Sequence, residues 1–210
     1  MKFDQLVGAV IHDLKNQLQA LLDYEREAIE QVPENYHQHL TPILQRTNRL
    51  KNDTLQLVSL FRLGEQRHFP LDDAWPMDTV NDAIEATSLQ FPTIKFHNQI
   101  DEQCQGFYSE MLLHLAIITL ITNSAQAGAT EIWFKASDEH GFTITIEDNG
   151  PGFPPEILNG EWDSSKREGS GLGLYFVELI ADHHRQGEQH GQLDIANRTP
   201  TGARVTIRLP

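Results

Sequence analysis

Four short clusters in this 210-residue chain carry residue types that can do chemistry. The first is His12-Asp13-Leu14-Lys15-Asn16. If the segment is helical, His12 lies about 140° and Asn16 about 180° from the centre of the apolar stripe Val7, Ile11, Leu14, Leu18 and Leu21. An imidazole on that polar side, flanked by a carboxylate, is a plausible nucleophile. Asp13 can accept the Nδ1 proton and leave Nε2 free to attack a phosphoryl group. An isolated histidine on a polar helix face is ordinarily a solvated side chain, so the rest of the chain has to decide.

The second cluster, Asp148-Asn149-Gly150-Pro151-Gly152, follows the strand-like Thr143 to Glu147. A carboxylate at a strand end, before a glycine-bounded turn, can face the edge of a ligand that the backbone approaches closely. Asn-Gly is equally a hairpin-turn signal. The third, Gly169-Ser170-Gly171-Leu172-Gly173-Leu174, runs into a helix whose free backbone N–H groups suit a polyphosphate. It is not a dinucleotide fingerprint, since Leu174 stands where the last glycine belongs, and no Gly-Lys-Ser/Thr makes a P-loop. The fourth is Asn123, an amide within the apolar Leu112 to Ile121 region's helix. It can hold Mg²⁺ through its carbonyl oxygen or simply bond neighbouring backbone, because an unpaired buried polar group costs about 1–3 kcal/mol.

Two kinds of element must position these clusters. Phe3 to about Gln31 reads as one long helix, and Val32 to His37, with its breaker Pro33, as a loop. A second stripe, Leu40, Ile43, Thr47, Leu50, Thr54, Leu57 and Phe61, repeats at heptad spacing. Two helices with such narrow seams bury little as an antiparallel hairpin, so a homodimeric four-helix bundle is expected. Residues 1–65 form that module, residues 66–76 read as a linker, and 77–210 form a second domain. In the second domain the expected helices are Met77 to Leu89, Ser109 to Ala127 and Leu172 to His184. The expected strands are Thr93 to Ile100, Gln105 to Tyr108, Glu131 to Ser137, Gly141 to Glu147, and a closing hairpin of Gln192 to Ala196 with Ala203 to Leu209. That irregular order implies an α+β sandwich, not a parallel doubly wound sheet.

Composition narrows the function. The net charge of −14 argues against nucleic acid and anionic membranes as partners. The single cysteine, Cys104, excludes a disulfide framework, and no apolar run approaches the roughly 20 residues of a membrane span. A cytoplasmic, soluble protein is expected. His183, His184 and His190 read as ordinary surface histidines, not a metal site.

Taken together and in this order, the four clusters resemble the bacterial sensor histidine kinases. His12 to Asn16 is similar to the phosphoacceptor box, Asn123 to the N box, Asp148 to Gly152 to the first glycine box, and Gly169 to Leu174 to the second. Trp162 to Lys166 resembles a weakened aromatic-to-lysine segment before that second box. The resemblance spans essentially the whole chain. It implies a dimerising phosphotransfer hairpin followed by an α/β sandwich of the histidine-kinase ATPase type. It implies that Asp148 accepts a hydrogen bond from the adenine amino group, that Asn123 ligates Mg²⁺, and that Gly150 and Gly152 let the nucleotide lie close. Gly169, Gly171, Leu172 and Gly173 would wrap the ATP phosphates, with Lys166 offsetting their charge. His12 would take the phosphoryl group with Asp13 as base and pass it to an aspartate of a response-regulator receiver domain, and Asn16 would position water when the same dimer dephosphorylates that receiver.

Two departures stand out. Thr119 occupies the position, one turn before Asn123, where these kinases usually carry a second Asn and the related ATPases a catalytic Glu; it cannot serve as that base. The phosphoacceptor helix also begins almost at Met1, which leads us to expect a separate sensor or regulatory protein docking on the hairpin. Two competing readings are a phosphotransfer adaptor whose second domain no longer uses ATP, and a serine kinase of the anti-sigma type. The intact glycine boxes speak against the first, and the His12 box with its long hairpin against the second.

Overall fold

The structure, a computed structural model, describes residues 3–33, 36–37, 39–44, 46–47, 50–51, 54, 70–139, 141–159 and 172–210, with backbone alone over 3–15, at 26 and at 172. It divides into two units, Met1–Arg67 and His68–Pro210.

In the first unit, α1 (Phe3–Gln31) runs for 29 residues without a proline, a length of about 44 Å. Pro33 follows its end, and the Pro33 carbonyl accepts the Tyr36 N–H at 2.9 Å as a second helical stretch begins. The described positions from 36 to 54 are helical. Thr47 Oγ1 donates to Glu25 Oε1 at 2.7 Å and Lys51 Nζ to Gln19 Oε1 at 2.6 Å, so these contacts run antiparallel. Leu18, Leu22, Thr47 and Thr54 are buried, whereas Leu21, Ile43 and Leu50 of the predicted stripes are about half exposed. The inward position is thus Leu22 and not Leu21: a 4,3 spacing broadens the stripe, and one edge of it faces the neighbouring helix while the other stays open. Leu57 and Phe61 lie outside the described residues.

The second unit is mixed α+β. Its elements in chain order are β1 (Asp72–Ala74), α2 (Pro76–Ser88), β2 (Lys95–Asn98), β3 (Gly106–Tyr108), α3 (Glu110–Gln126), β4 (Glu131–Ser137), β5 (Phe142–Asp148), α4 (Pro155–Leu158), α5 (Leu172–His183), β6 (Arg185–Gln186), β7 (Gln189–His190), β8 (Gln192–Asn197) and β9 (Ala203–Leu209). A five-stranded sheet has the order β2-β4-β5-β9-β8, with β2 parallel to β4 and the other pairs antiparallel. Strand alternation gives the sheet two faces. Ile132, Phe134, Ile144, Ile146, Val205 and Ile207 lie buried on one, and Trp133, Lys135, Glu147 and Arg204 occupy the other.

The apolar face lies against helices. α3 packs on both α2 and α5, which is why it is apolar around most of its circumference. Its Leu113, Ala116, Ile117 and Ile121 are fully buried, each large side chain contributing about 1.5–3 kcal/mol. α2 starts at Pro76, where a missing N–H costs nothing because the first helical turn has no partner for it.

Two features depart from the sequence reading. β1 falls inside residues 66–76, the span expected to be a linker, and pairs with β3. β6 and β7 form an exposed two-residue ladder. β1 sits between Pro70 and Pro76 and carries two acidic residues, which read as linker, and two-residue strands are too short to show any alternation. β5 also extends one residue further than expected, through Asp148 itself.

Candidate functional site

Where β5, β9, α3 and the start of α5 meet, they enclose a pocket of about 230 Å³. Leu120, Ala127, Ile146, Leu174 and Val205 form much of its apolar lining, with Phe153 and Pro154 along one side. Asn123, Ser124 and Asp148 supply its polar groups. Asn123 and Ser124 come from the last turn of α3, Asp148 from the last residue of β5, and the adjacency of those ends brings them together.

Asp148 is buried and held by three donors. Ser124 Oγ donates to its Oδ2 at 2.7 Å, while the backbone N–H groups of Gly150 and Ala203 donate to Oδ1 at 2.9 and 3.0 Å. An ionised carboxylate has about four acceptor positions and no proton to give. Among the described residues three donors occupy three of these, which leaves an acceptor on Oδ2. A ligand group that meets it must therefore be a donor, such as an amino group on the edge of a flat apolar ring.

The glycines have reasons that the sequence alone does not show. Gly152 has φ +80°, and a Cβ there would come within 2.7 Å of Asn197 Oδ1 and 3.0 Å of Gly202 O. The space a side chain would fill is occupied by the protein's own amide. At Gly173, in the first turn of α5, a Cβ would lie 2.7 Å from Asn123 Nδ2. The glycine therefore lets the start of α5 rest on the Asn123 side chain. The first N–H groups of a helix have no partner within the helix itself, a feature that favours anions.

Of the residues singled out in the sequence, Asn123, Asp148 and Gly152 line one pocket, Gly150 donates to Asp148, and Gly173 packs on Asn123. Leu172 opens α5. Lys166, Gly169 and Gly171 lie outside the described residues, as do the side chains of His12 and Asp13. His12, Asp13 and Asn16 are on α1, and Asn16 is exposed. Thr119 is buried, and its hydroxyl donates to Leu115 O at 2.9 Å, which uses its proton within its own helix.

Sequence reasoning missed Ser124, Asn149 and Asn197. Asn149 Oδ1 accepts the N–H groups of Thr130 and Glu131 at 2.8 and 3.0 Å, tying the loop after β5 to the start of β4. Asn197 bonds both backbone groups of Phe153. A polar residue next to a recognisable motif was the available signal for the first two. Asn197 stands 44 residues from its partner and carried none.

His184 requires a correction, because it is 1% exposed and not a surface residue. Its Nδ1 donates to Ile180 O at 2.8 Å, and its Nε2 accepts the Ser109 N–H at 3.1 Å. The ring joins the end of α5 to the cap of α3. Burial lowers its pKa, the nearby His183 adds to that, and the bond to Ile180 opposes it in part. A doublet of histidines reads as polar in sequence, yet the helix-to-strand corner turns the second one inward. His190 remains exposed beside Asp182. Among the described residues no group of three or more His, Cys, Asp or Glu side chains is placed to hold a metal ion. No described helix is long and apolar enough to cross a membrane.

On the opposite face of the sheet, Glu147 is buried among cations: Arg204 Nε at 2.5 Å, Lys135 Nζ at 3.1 Å and Arg198 Nε at 3.8 Å. Burial pushes its carboxyl up, but the hydrogen bonds and charges of Arg204 and Lys135 outweigh that and hold it below the usual range. Arg198 also lies over the Trp133 ring, 4.0 Å from its centroid.

Residues 108–210 match the family described as Histidine kinase-, DNA gyrase B-, and HSP90-like ATPase. The chain is 26% identical to the Tetrathionate sensor histidine kinase TtrS of Salmonella typhimurium, over 97% of this chain and 36% of that one. The ATP binding domain of PrrB from Mycobacterium Tuberculosis is 28% identical, with a TM-score of 0.54 over 68% of this chain and 98% of that one. Full-length ShkA in complex with AMPPNP shares the fold, with a TM-score of 0.66 at 16% identity over 98% of this chain and 45% of that one. The chain thus spans about a third of the length of curated relatives it matches.

Proposed function

The chain belongs to the bacterial sensor histidine kinase family, and on that premise we propose that it is an ATP-dependent protein histidine kinase. One observation carries the reading: the buried Asp148 carboxylate offers a single remaining acceptor beside an apolar pocket that also holds Asn123. That arrangement fits adenine. The aliphatic and aromatic walls match a flat ring, and the acceptor matches its exocyclic amino group. The start of α5, with Gly173 resting on Asn123, fits the phosphates and a Mg²⁺ ion held in part by the Asn123 carbonyl. Gly169, Gly171, Leu172 and Lys166 belong to the same phosphate role by their place in sequence. Mg-ATP supplies the phosphoryl group.

His12 is the residue that takes this group, with Asp13 orienting the imidazole through Nδ1. Its support is its place on α1 within the phosphoacceptor pattern. The hairpin works as a homodimeric bundle, because its exposed Leu21, Ile43 and Leu50 need a cover that a second copy can give. From His12 the phosphoryl group passes to an aspartate of a response-regulator receiver domain, and Asn16 orients the water that hydrolyses that aspartyl phosphate when the same dimer dephosphorylates the receiver. Catalysis is then mainly positioning and charge stabilisation.

The test is phosphate incorporation from labelled Mg-ATP into the wild type, His12→Ala and Asp148→Asn. Acid-labile label in the wild type, absent from both variants, is the expected outcome. A wild type that neither binds ATP nor takes up label overturns this reading in favour of the adaptor module. Acid-stable label that survives in His12→Ala would instead indicate a hydroxyl acceptor.

A further inference from the structure

Asn197 is the last residue of β8, far in sequence from both glycine boxes. Its side-chain amide meets the backbone of Phe153 in two opposed hydrogen bonds. Phe153 N–H donates to Asn197 Oδ1 at 2.6 Å, and Asn197 Nδ2 donates to Phe153 O at 3.0 Å. The pairing imitates one rung of a β-ladder, made by a side chain where no strand is present. Both bonds exist only with the amide in this orientation, so the geometry fixes the assignment.

The pinned segment matters because of where it sits. Phe153 and Pro154 line the pocket that holds Asp148, immediately after the first glycine box and ahead of α4. Gly152 comes so close to the Asn197 amide that a Cβ would overlap it, so the glycine and the amide are matched to each other. The other side of the hairpin is anchored independently. Arg198 N–H donates to Gly202 O at 2.8 Å, and the Arg198 side chain rests on Trp133 across the sheet. The two neighbours therefore divide the work: Arg198 braces the turn, and Asn197 reaches from the braced turn to the pocket.

We propose that Asn197 is a positioning residue for the nucleotide: it clamps the root of the segment between the glycine boxes, so that Phe153 and Pro154 stay in place as a wall of the pocket. The inference rests on the reading of that pocket as a nucleotide site. It touches no reacting atom, and it acts by keeping the wall formed before the ligand arrives, which lowers the ordering cost of binding.

The experiment is stopped-flow binding of an N-methylanthraniloyl derivative of ATP with Mg²⁺ to the full chain, with thermal melts run on every variant. Asn197→Ala should release the nucleotide about tenfold faster with association changed less than about twofold, because affinity differences among related complexes fall mainly in dissociation. Asn197→Asp keeps the acceptor for Phe153 N–H and loses the donor to Phe153 O, so its release rate should lie between those of wild type and Asn197→Ala. Arg198→Ala loosens the same turn without touching Phe153, and it should leave release within about twofold of wild type even where it lowers the melting temperature. If Asn197→Ala releases at the wild-type rate, or if Arg198→Ala accelerates release equally, the clamp is overturned. A wild type that fails to bind the probe removes the nucleotide reading itself, a different failure from a bound probe that is indifferent to Asn197.

Discussion

In the α/β unit Tyr108, Phe134 and Phe176 of the core are no more than 1% exposed, though Leu89, Phe107 and Met111 stay at its surface. Among the described apolar residues of the helical unit, by contrast, Leu18 and Leu22 are buried and Leu21, Tyr24, Ile43 and Leu50 are between 46% and 71% exposed. One unit closes its core around a central helix with three kinds of neighbour: a sheet, α2 and α5. Among its described residues the other shows two helical stretches, and two cylinders side by side can shield each other along one line. The difference teaches that the units need different things. The α/β unit can build a pocket from its own residues, while the helical unit presents an apolar face that calls for a second surface.

The largest expected effect tests the closed core. Phe176, on α5, is 1% exposed, and Phe176→Ala should destabilise the α/β unit by about 3–5 kcal/mol. Urea denaturation followed at two signals, helix content and nucleotide binding, should show the binding transition moving to lower urea. If both signals shift together by the same amount, the units are not independent and the comparison breaks.

Next comes the open face. Leu50→Asp places a charge at a position 55% exposed in the single copy but, on our reading, covered in the dimer. It should cost about 2–4 kcal/mol of association, raising the dimer dissociation constant about thirtyfold to a thousandfold, as truncating a central interface residue does. Sedimentation equilibrium reads this directly, and ATP affinity should stay unchanged. A dimer that survives Leu50→Asp would mean that the exposed leucine is merely a solvated edge.

The same contrast explains what could be read from sequence. The long runs with clear periods, α1 and the β4 and β5 strands, announced themselves because each is long enough to repeat its pattern. β1 was hidden in an apparent linker, because Pro70, Pro76 and the pair Asp72-Asp73 read as loop and only the pairing with β3 makes it a strand. In the site, Asp148 and Asn123 stand out in the sequence as polar residues at the ends of apolar elements, but their roles there come only from the resemblance, since a turn or a backbone partner explains each equally well. The reasons for Gly152 and Gly173 were not legible, since the groups that exclude a Cβ, Asn197 and Asn123, are 45 and 50 residues away. His184 was misread for a related cause: whether the second of two adjacent histidines faces inward depends on where α5 ends and on the Ser109 amide waiting there.

That histidine supplies the smallest effect and the sharpest sign. Neutral His184 donates from Nδ1 to Ile180 O and accepts the Ser109 N–H at Nε2, so protonation of Nε2 sets two donors against each other. Burial first, and then the neighbouring His183, lower its pKa below the ordinary 6.5, and the Ile180 carbonyl offsets part of this. The unfolded chain therefore takes up the proton before the folded one. Stability is complete above the ordinary value and declines as the pH falls below about 6.5, by at most about 1.4 kcal/mol per pH unit for one proton, until the folded pKa is passed. His183, whose pKa is also lowered by its burial and by Arg185, adds in the same direction. His184→Gln keeps one donor and one acceptor without a titrating group. Its stability should depend less on pH between about 5 and 6.5 than the wild type's, by about 1 kcal/mol across that interval, as measured by urea denaturation at each pH. An unchanged slope would assign the acid sensitivity of this unit to His183, or to carboxylates such as Glu147, whose lowered pKa places its contribution at more acid values, where protonation begins to undo its ion pairs with Arg204 and Lys135.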